Sequence, residues 1–403
     1  MIELLRERNF RLLWLGQMAS QCGDRLIQLI LVALVALVEP GSSLVLAKVM
    51  AFTSLPGLLV SPLAGAYVDR WNRRRTMITC DWIRVAGVLL LPLLAVNGRR
   101  GLLYLDIFLL FTVATFFVPA RLAIIPDLVA PSQLARANAA FTTSGMVGSA
   151  VILLLGALLV EWVGATRACA VNAAAYAASA AFILPLQGKS NRQVPANVLP
   201  GRILAQVWEG LRELWVHRNT RQLIFLIGLL MAGGGSSLVI GTVLVQKSLG
   251  SVTKDLGFLS LWLGVGMLLG TLAYGRWGTR QRRHVTLGLS FLGAGLAMSG
   301  FLAAILWLRS GAAASVAAAA LGFFVAPAGI VPNTLVHEAH PERLHGRIFS
   351  SLGVVVNAGF IGSMLAAGWL GERLGQGRML SAVILVFALS GAALLYYRRS
   401  PKT

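Results

Sequence analysis

Long apolar runs separated by short polar gaps recur along the whole chain, and the runs lack the period-two alternation of a half-buried strand. A helix needs about 20 mainly apolar residues to cross some 30 Å of hydrocarbon. Twelve runs of that order can be drawn, over residues 10–38, 44–68, 76–96, 102–125, 137–160, 168–186, 222–246, 256–275, 285–306, 312–332, 348–370 and 379–397. Glycine, proline and charge clusters fill the gaps, as expected where helices stop. The pattern predicts an all-α integral membrane protein with twelve transmembrane helices. The first run is long and has no small-residue processing site behind it, so it is expected to remain as a helix.

Composition agrees with lipid as the solvent. The chain of 403 residues is 57% hydrophobic and 12% charged, against about 25% charged residues in an ordinary soluble domain. Its 43 glycines lack a collagen period and suit close helix packing. A net charge of +20 would fit a nucleic-acid partner if the basic residues formed one patch, but most lie in the gaps between apolar runs. The main groups are Arg70, Arg73, Arg74 and Arg75; Arg202, Arg212, Arg218 and Arg221; and Arg276, Arg280, Arg282 and Arg283. By the positive-inside rule both termini are expected in the cytoplasm, with lipids as partners and no nucleic acid. Cys22, Cys80 and Cys169 are far apart and imply no disulfide framework or metal site.

The chain also repeats itself at about half its length. At an offset of 206 residues Arg70-Trp71 falls on Arg276-Trp277 and Pro126 on Pro332; at 207 Phe116-Phe117 meets Phe323-Phe324; at 210 Arg8-Asn9 and Arg11 meet Arg218-Asn219 and Arg221. Two six-helix bundles in parallel orientation are expected, over 1–186 and 222–403. They would be joined by a cytoplasmic linker, 187–221, in which 202–217 can form an amphipathic surface helix. Parallel six-helix repeats form one class of secondary transporter, with the solute site near mid-membrane between the halves.

The gap after the second run reads Gly65-Ala-Tyr-Val-Asp69-Arg70-Trp-Asn72-Arg73-Arg74. It resembles the cytoplasmic signature of the major facilitator superfamily, G-x-x-x-D-R-x-G-R-R, with Asn72 where a glycine is usual. Asn9-Phe10 through Gln17, Gly23-Asp24-Arg25, Phe117-Val-Pro119-Ala-Arg121, Pro126-Asp127 and Ala137-Asn138 are similar to the subgroup of macrolide-efflux and enterobactin-export permeases. The resemblance implies alternating access and export of an amphipathic small molecule, drug-like or siderophore, against proton entry. It also implies a conformational latch of Gly65, Asp69, Arg70, Arg73 and Arg74, in which Asp69 faces the start of helix eleven near Gly346 to Ile348. A carboxylate suits that place because helix N-termini favour negative charge. The second-half copy has Gly275 in place of Asp69, so its latch is expected to be weaker or absent. Helix five has no proline between Pro131 and Pro185, where many antiporters of the family carry a G-P pair.

Charges inside the spans carry the candidate chemistry. Asp24 is the middle residue of the first run, where an ionised group costs about 2.5–3.5 kcal/mol on insertion scales. Gln17, Gln21, Asp24 and Gln28 follow at i, i+4, i+7 and i+11, one polar stripe on an apolar helix that suits a water-filled cavity. Asp24 is either a proton carrier or substrate-cation contact, or a structural ion pair or helix–helix hydrogen bond; Arg25, about 100° away around the helix, is expected to partner another helix. Asp81 and Arg84 can pair at i, i+3. Arg121 can meet an anionic group or Asp127. In the seventh run Gly233-Gly234-Gly235 precede Ser236 and Ser237, a place for a gating bend, for solute contact, or for tight packing. Asn172, Tyr176 and Ser179 keep helical spacing, as polar glue between helices.

Enzymatic chemistry has no local basis. His337-Glu338-Ala339-His340 lacks the spacing of H-E-x-x-H, and no phosphate loop or nucleophile elbow is present. No cofactor or metal is expected, and transport energy would come from an ion gradient. The expected function is proton-coupled efflux by a monomer. The rivals are uptake or facilitated exchange of a solute such as a lysophospholipid or metabolite, and a membrane scaffold or sensor without turnover.

Overall fold

The computed structural model describes residues 2–68, 70–186, 212, 218–278, 282–339 and 342–396. All twelve apolar runs are helical. After a short α1 (Ile2–Arg6) come α2 (Arg8–Val38), α3 (Ser43–Leu59), α4 (Ser61–Val68), α5 (Arg73–Val96), α6 (Arg100–Leu128), α7 (Leu134–Val163) and α8 (Ala165–Ile183). The second half holds α9 (Arg218–Leu249), α10 (Lys254–Trp277), α11 (Arg283–Ala303), α12 (Gly311–Ala339), α13 (Glu342–Leu374) and α14 (Gln376–Tyr396). Among the described residues no strand occurs, and nine helices are long and apolar enough to cross a membrane. The other three predicted spans are α3 with α4, α7 and α8. The second span is divided at Val60, two residues before Pro62, which has no N–H to donate to the Leu58 carbonyl one turn earlier and so removes one helical hydrogen bond.

Two compact units result. One comprises Met1–Val38 with Phe52–Ile203, the other Glu39–Ala51 with Leu204–Thr403. The beginning of α3 therefore belongs to the second unit, a division that an equal split of the repeat does not foresee. The predicted linker and its amphipathic helix over 202–217 lie almost wholly outside the described residues, as does Asp69.

In the first unit α2 packs on α7 and α8, and α5 on α6 and α8. Glycine sets the α2–α8 approach: a Cβ on Gly16 would lie 2.9 Å from Ile183, and one on Gly23 would lie 2.6 Å from the Tyr176 ring. The start of α5 is capped by Asn72, whose Oδ1 accepts from the Arg75 N–H at 3.0 Å. The departure from the family's usual glycine thus has a local function, since asparagine is among the best N-caps. An apolar cluster of Phe10, Leu13, Met77, Phe117, Ile124 and Phe141 fills one end of this unit.

In the second unit α10 and α12 approach most closely. A Cβ on Gly266 would fall 1.9 Å from the Ala319 carbonyl oxygen, and one on Gly270 would fall 2.2 Å from that of Phe323. This is the small-residue contact expected where lipid offers no hydrophobic drive between helices. Gly264, Gly359 and Gly362 have no neighbour among the described residues within 4 Å of where a Cβ would stand. The seventh span is not interrupted: α9 is one continuous helix through Gly233 to Ser237. Its glycines serve packing, because a Cβ on Gly233 would meet the Phe387 ring at 2.2 Å, and one on Gly235 would meet Ser363 Oγ at 2.3 Å and the Phe360 carbonyl at 2.6 Å.

Candidate functional site

Asp24, Asp81 and Arg84 come together inside the first unit, on α2 and α5, with α8 supplying the third wall. The Arg84 side chain is 2% exposed and that of Asp81 is fully buried. One Arg84 terminal nitrogen, Nη1, donates to Asp81 Oδ1 at 3.2 Å and to Ser20 Oγ at 3.0 Å. Ser179 on α8 donates to the other Asp81 oxygen at 2.6 Å. The guanidinium lies 5.0 Å from the Phe117 ring centroid and 5.2 Å from that of Tyr176, a cation–π setting for a charge without water. The expected i, i+3 pair is thus present and sealed.

Asp24 differs from its neighbours in one respect. Its Oδ1 is 3.7 Å from Arg84 Nη1 and accepts from the Tyr176 hydroxyl at 2.9 Å, yet its side chain is 42% exposed. Two carboxylates share one guanidinium, and only one of the two carboxylates is open. Asn172 donates to the Gly23 carbonyl at 3.0 Å, so Asn172, Tyr176 and Ser179, one face of α8, fix the backbone before Asp24, the carboxylate of Asp24 and the carboxylate of Asp81. These three residues were legible as a helical stripe, though as general glue and not as part of the site. Ser20, one turn before Asp24 on the same helix, joins the site through Arg84, and its spacing from Asp24 is the sequence signal for it.

The remaining candidates separate. Gln17 is 1% exposed and its amide has no hydrogen-bond partner among the described residues, while Gln21 and Gln28 are half-buried, so the stripe is closed at Gln17 and open at Asp24. Arg25 turns to α7 and donates to Ser149 at 3.1 Å, as expected of a residue that partners another helix. Arg121 does not meet Asp127; it lies 5.6 Å from the Phe141 ring centroid. Asp127 is held by Arg73, whose Nη1 donates to it at 2.8 Å and to the Ala123 carbonyl at 2.8 Å. Arg74 donates to the Leu184 carbonyl, and Trp71 stacks on Phe116 beside the exposed Arg70. Ser236 is buried and Ser237 half-buried in α9. Asp69, expected as the latch carboxylate, lies outside the described residues, as do the surroundings of Gly65 and the side chains of His337, Glu338 and His340.

A charged cluster in a spanning helix bundle, glycine-packed spans and a half-length repeat narrow the family, and comparison decides it. Residues 13–364 match the Major Facilitator Superfamily. The chain belongs to the major facilitator superfamily. It is a multi-pass membrane transporter, not an enzyme. The multidrug efflux pump Tap of Mycolicibacterium fortuitum is 26% identical over 368 residues, covering 89% of this chain and 88% of Tap. BacE of Bacillus subtilis, named as a candidate bacilysin exporter, is 26% identical over 330 residues, covering 77% of each chain. Among solved structures, a bacterial homologue of the iron transporter ferroportin matches with a TM-score of 0.75 at 14% identity over 97% of this chain and 99% of its own. The nucleoside transporter NupG matches with a TM-score of 0.74 at 14% identity over 96% and 98%. Both structures share the superfamily fold.

Proposed function

We propose that this transporter exports amphipathic small molecules, drug-like or siderophore in class, in exchange for entering protons, with Asp24 as the exchanging group. The carrying observation is the division of labour among three charges. Asp81 and Arg84 are buried and satisfy one another, whereas Asp24 is open, and an open acid on a spanning helix that keeps a hydroxyl donor and a nearby cation can gain and lose a proton without unpairing a buried charge. The names of the efflux relatives support the direction and the substrate class. In this reading the protein works as a monomer in the inner or plasma membrane, surrounded by lipid, with both termini cytoplasmic. The bundles 1–186 and 222–403 exchange access to the two sides about the linker 187–221, and Asp69, Arg70, Arg73 and Arg74 latch the inner side.

Proteoliposomes loaded with a pH-sensitive dye test the proposal. Addition of ethidium, tetracycline or a siderophore should change internal pH with the parent protein and leave it unchanged with Asp24→Asn. If Asp24→Asn still moves solute under a pH gradient, Asp24 is not the exchanging group; if no candidate moves protons with the parent, export by antiport fails.

A further inference from the structure

We infer that Glu372, at the end of α13, is an outer latch that clasps the start of α3 and must release in each transport cycle. The inference rests on the alternating-access reading for its place in the cycle, and on the following geometry for the latch itself.

The chain from Glu39 to Ala51 packs with the second unit, and from Phe52 with the first, so α3 begins in one unit and ends in the other. Its start is gripped by α13. The Glu372 carboxylate accepts from Ser42 Oγ at 2.5 Å and from the Leu44 N–H at 3.1 Å, and Ser42 Oγ in turn accepts from the Val45 N–H at 3.2 Å. A carboxylate on the first free N–H groups of a helix is the favourable end for its dipole, here supplied by another helix. One turn earlier on α13, the Gly368 carbonyl accepts from Ser43 Oγ at 2.9 Å. A Cβ on Gly368 would stand 2.6 Å from Ala47, so the two helices nearly touch.

The turn before α3 is tied down as well. Glu39-Pro40-Gly41-Ser42 closes with the Ser42 N–H on the Glu39 carbonyl, and Gly41 has a φ of 78°, the glycine position of a type II turn. Gln376 donates to the Gly41 carbonyl at 3.1 Å and accepts from Lys247 Nζ at 3.2 Å. The stem of Lys247 fills the space where a Cβ at position 41 would stand. Three helices of the second unit thus hold one turn of chain that leads straight into the first. On the topology proposed above this clasp lies at the outer face, so it is separate from the Asp69 motif, and Glu372 is the charged group that accepts from the Leu44 N–H at the start of α3.

Cross-linking tests the latch without relying on transport. In a background in which Cys22, Cys80 and Cys169 are replaced by serine, Ser43→Cys with Gly371→Cys places two Cβ atoms 3.8 Å apart, near the usual disulfide separation. The expected result is a disulfide that forms in membranes and stops ethidium efflux from proteoliposomes, with efflux restored by reductant. Adding Glu372→Gln should slow disulfide formation about tenfold, the scale of trading a charge-assisted hydrogen bond for a neutral one. Efflux at the reduced rate by a fully cross-linked protein overturns release in each cycle; an unchanged cross-linking rate in Glu372→Gln overturns Glu372 as the latch. Hydrogen exchange at residues 43–47 in Glu372→Gln, with the native cysteines kept, is a second measure that needs no cysteine pair. Faster exchange is expected, and unchanged exchange refutes the latch. A parent protein that moves no ethidium or other candidate defeats the export reading, while the cross-linking and exchange rates still decide the latch.

Discussion

Replacing Asp81 by asparagine should destabilise the protein strongly, and replacing Arg84 by methionine as well should return most of the loss. Asp81 is fully buried and takes hydrogen bonds from Arg84 and Ser179. Asparagine keeps the volume but leaves the Arg84 charge, 2% exposed, with Asp24 at 3.7 Å as its remaining carboxylate among the described residues. Removing one partner of a buried pair costs about 3–5 kcal/mol, whereas replacing the whole pair by apolar groups of similar size is often neutral or better. For a bundle of this size about 1 kcal/mol moves a melting midpoint by roughly 2–4 °C, so Asp81→Asn should melt roughly 6–20 °C below the parent. Asp81→Asn/Arg84→Met should melt within a few degrees of it.

Thermal unfolding in detergent, followed by thiol-dye uptake at the buried Cys80 and Cys169, measures both variants and Arg84→Met alone, and the double-mutant cycle isolates the pair from each residue's other contacts. Asp24→Asn belongs in the same series. Its side chain is 42% exposed, so its loss should cost at most about 1 kcal/mol, the scale of a solvated ion pair, while abolishing coupled transport. Additive losses in the double variant would refute the sealed pair. An Asp24→Asn protein as unstable as Asp81→Asn would refute the separation into a structural and a working acid.

Three further outcomes follow from packing and capping. Gly270→Val should fail to assemble or lose several kcal/mol, on the order of 3, because its Cβ would stand 2.2 Å from a carbonyl oxygen of α12; Gly264→Val, with open space, should behave as the parent in the same expression and melting assay. Asn72→Ala should remove the α5 cap at a cost of about 1 kcal/mol, read as faster hydrogen exchange over residues 73–76 without loss of insertion. Arg73→Gln should unpair Asp127, whose partner lies at 2.8 Å, and loosen the ends of α5 and α6 against one another, seen as protease cleavage near the 128–134 connection that the parent resists.

Much of the fold was legible because lipid imposes one rule on every span: backbone groups must be satisfied inside the helix, so apolar length and Gly or Pro breaks carry most of the signal. The Asp81–Arg84 pair was legible for a similar reason, being local to one helix turn. What sequence left open was set by partners from distant segments. Nothing near Asp24 announces that Tyr176, 152 positions away, donates to it, or that Arg84 binds Asp81 more closely than it binds Asp24. Gly233 to Gly235 read equally as hinge or contact, and only the positions of Phe387, Phe360 and Ser363 decide for contact. Arg121 and Asp127 are near in sequence on one helix, but Arg73 from α5 reaches Asp127 first.

The repeat shows how one half acquired a site that the other lacks. At an offset of 210 Gly23-Asp24 falls on Gly233-Gly234, and at 211 Tyr176 falls on Phe387. Both halves build the same joint, a glycine that yields space to an aromatic ring from the sixth helix of its bundle: Gly23 to Tyr176, and Gly233 to Phe387. Packing at this joint is therefore shared, and the joint itself differs by one hydroxyl and one carboxylate, both in the first half. Tyr176→Phe converts the first joint into the chemistry of the second while keeping the ring that packs on Gly23 and lies 5.2 Å from the Arg84 guanidinium. It should cost about 1 kcal/mol, one hydrogen bond, and should melt close to the parent. Its transport should nonetheless fall, because Asp24 loses the donor that fixes its carboxylate beside Arg84. Tyr176→Ala should lose both stability, about 3–5 kcal/mol for a buried aromatic, and transport. Parent-like transport in Tyr176→Phe would mean that the ring alone matters and that the hydroxyl has no part in the site.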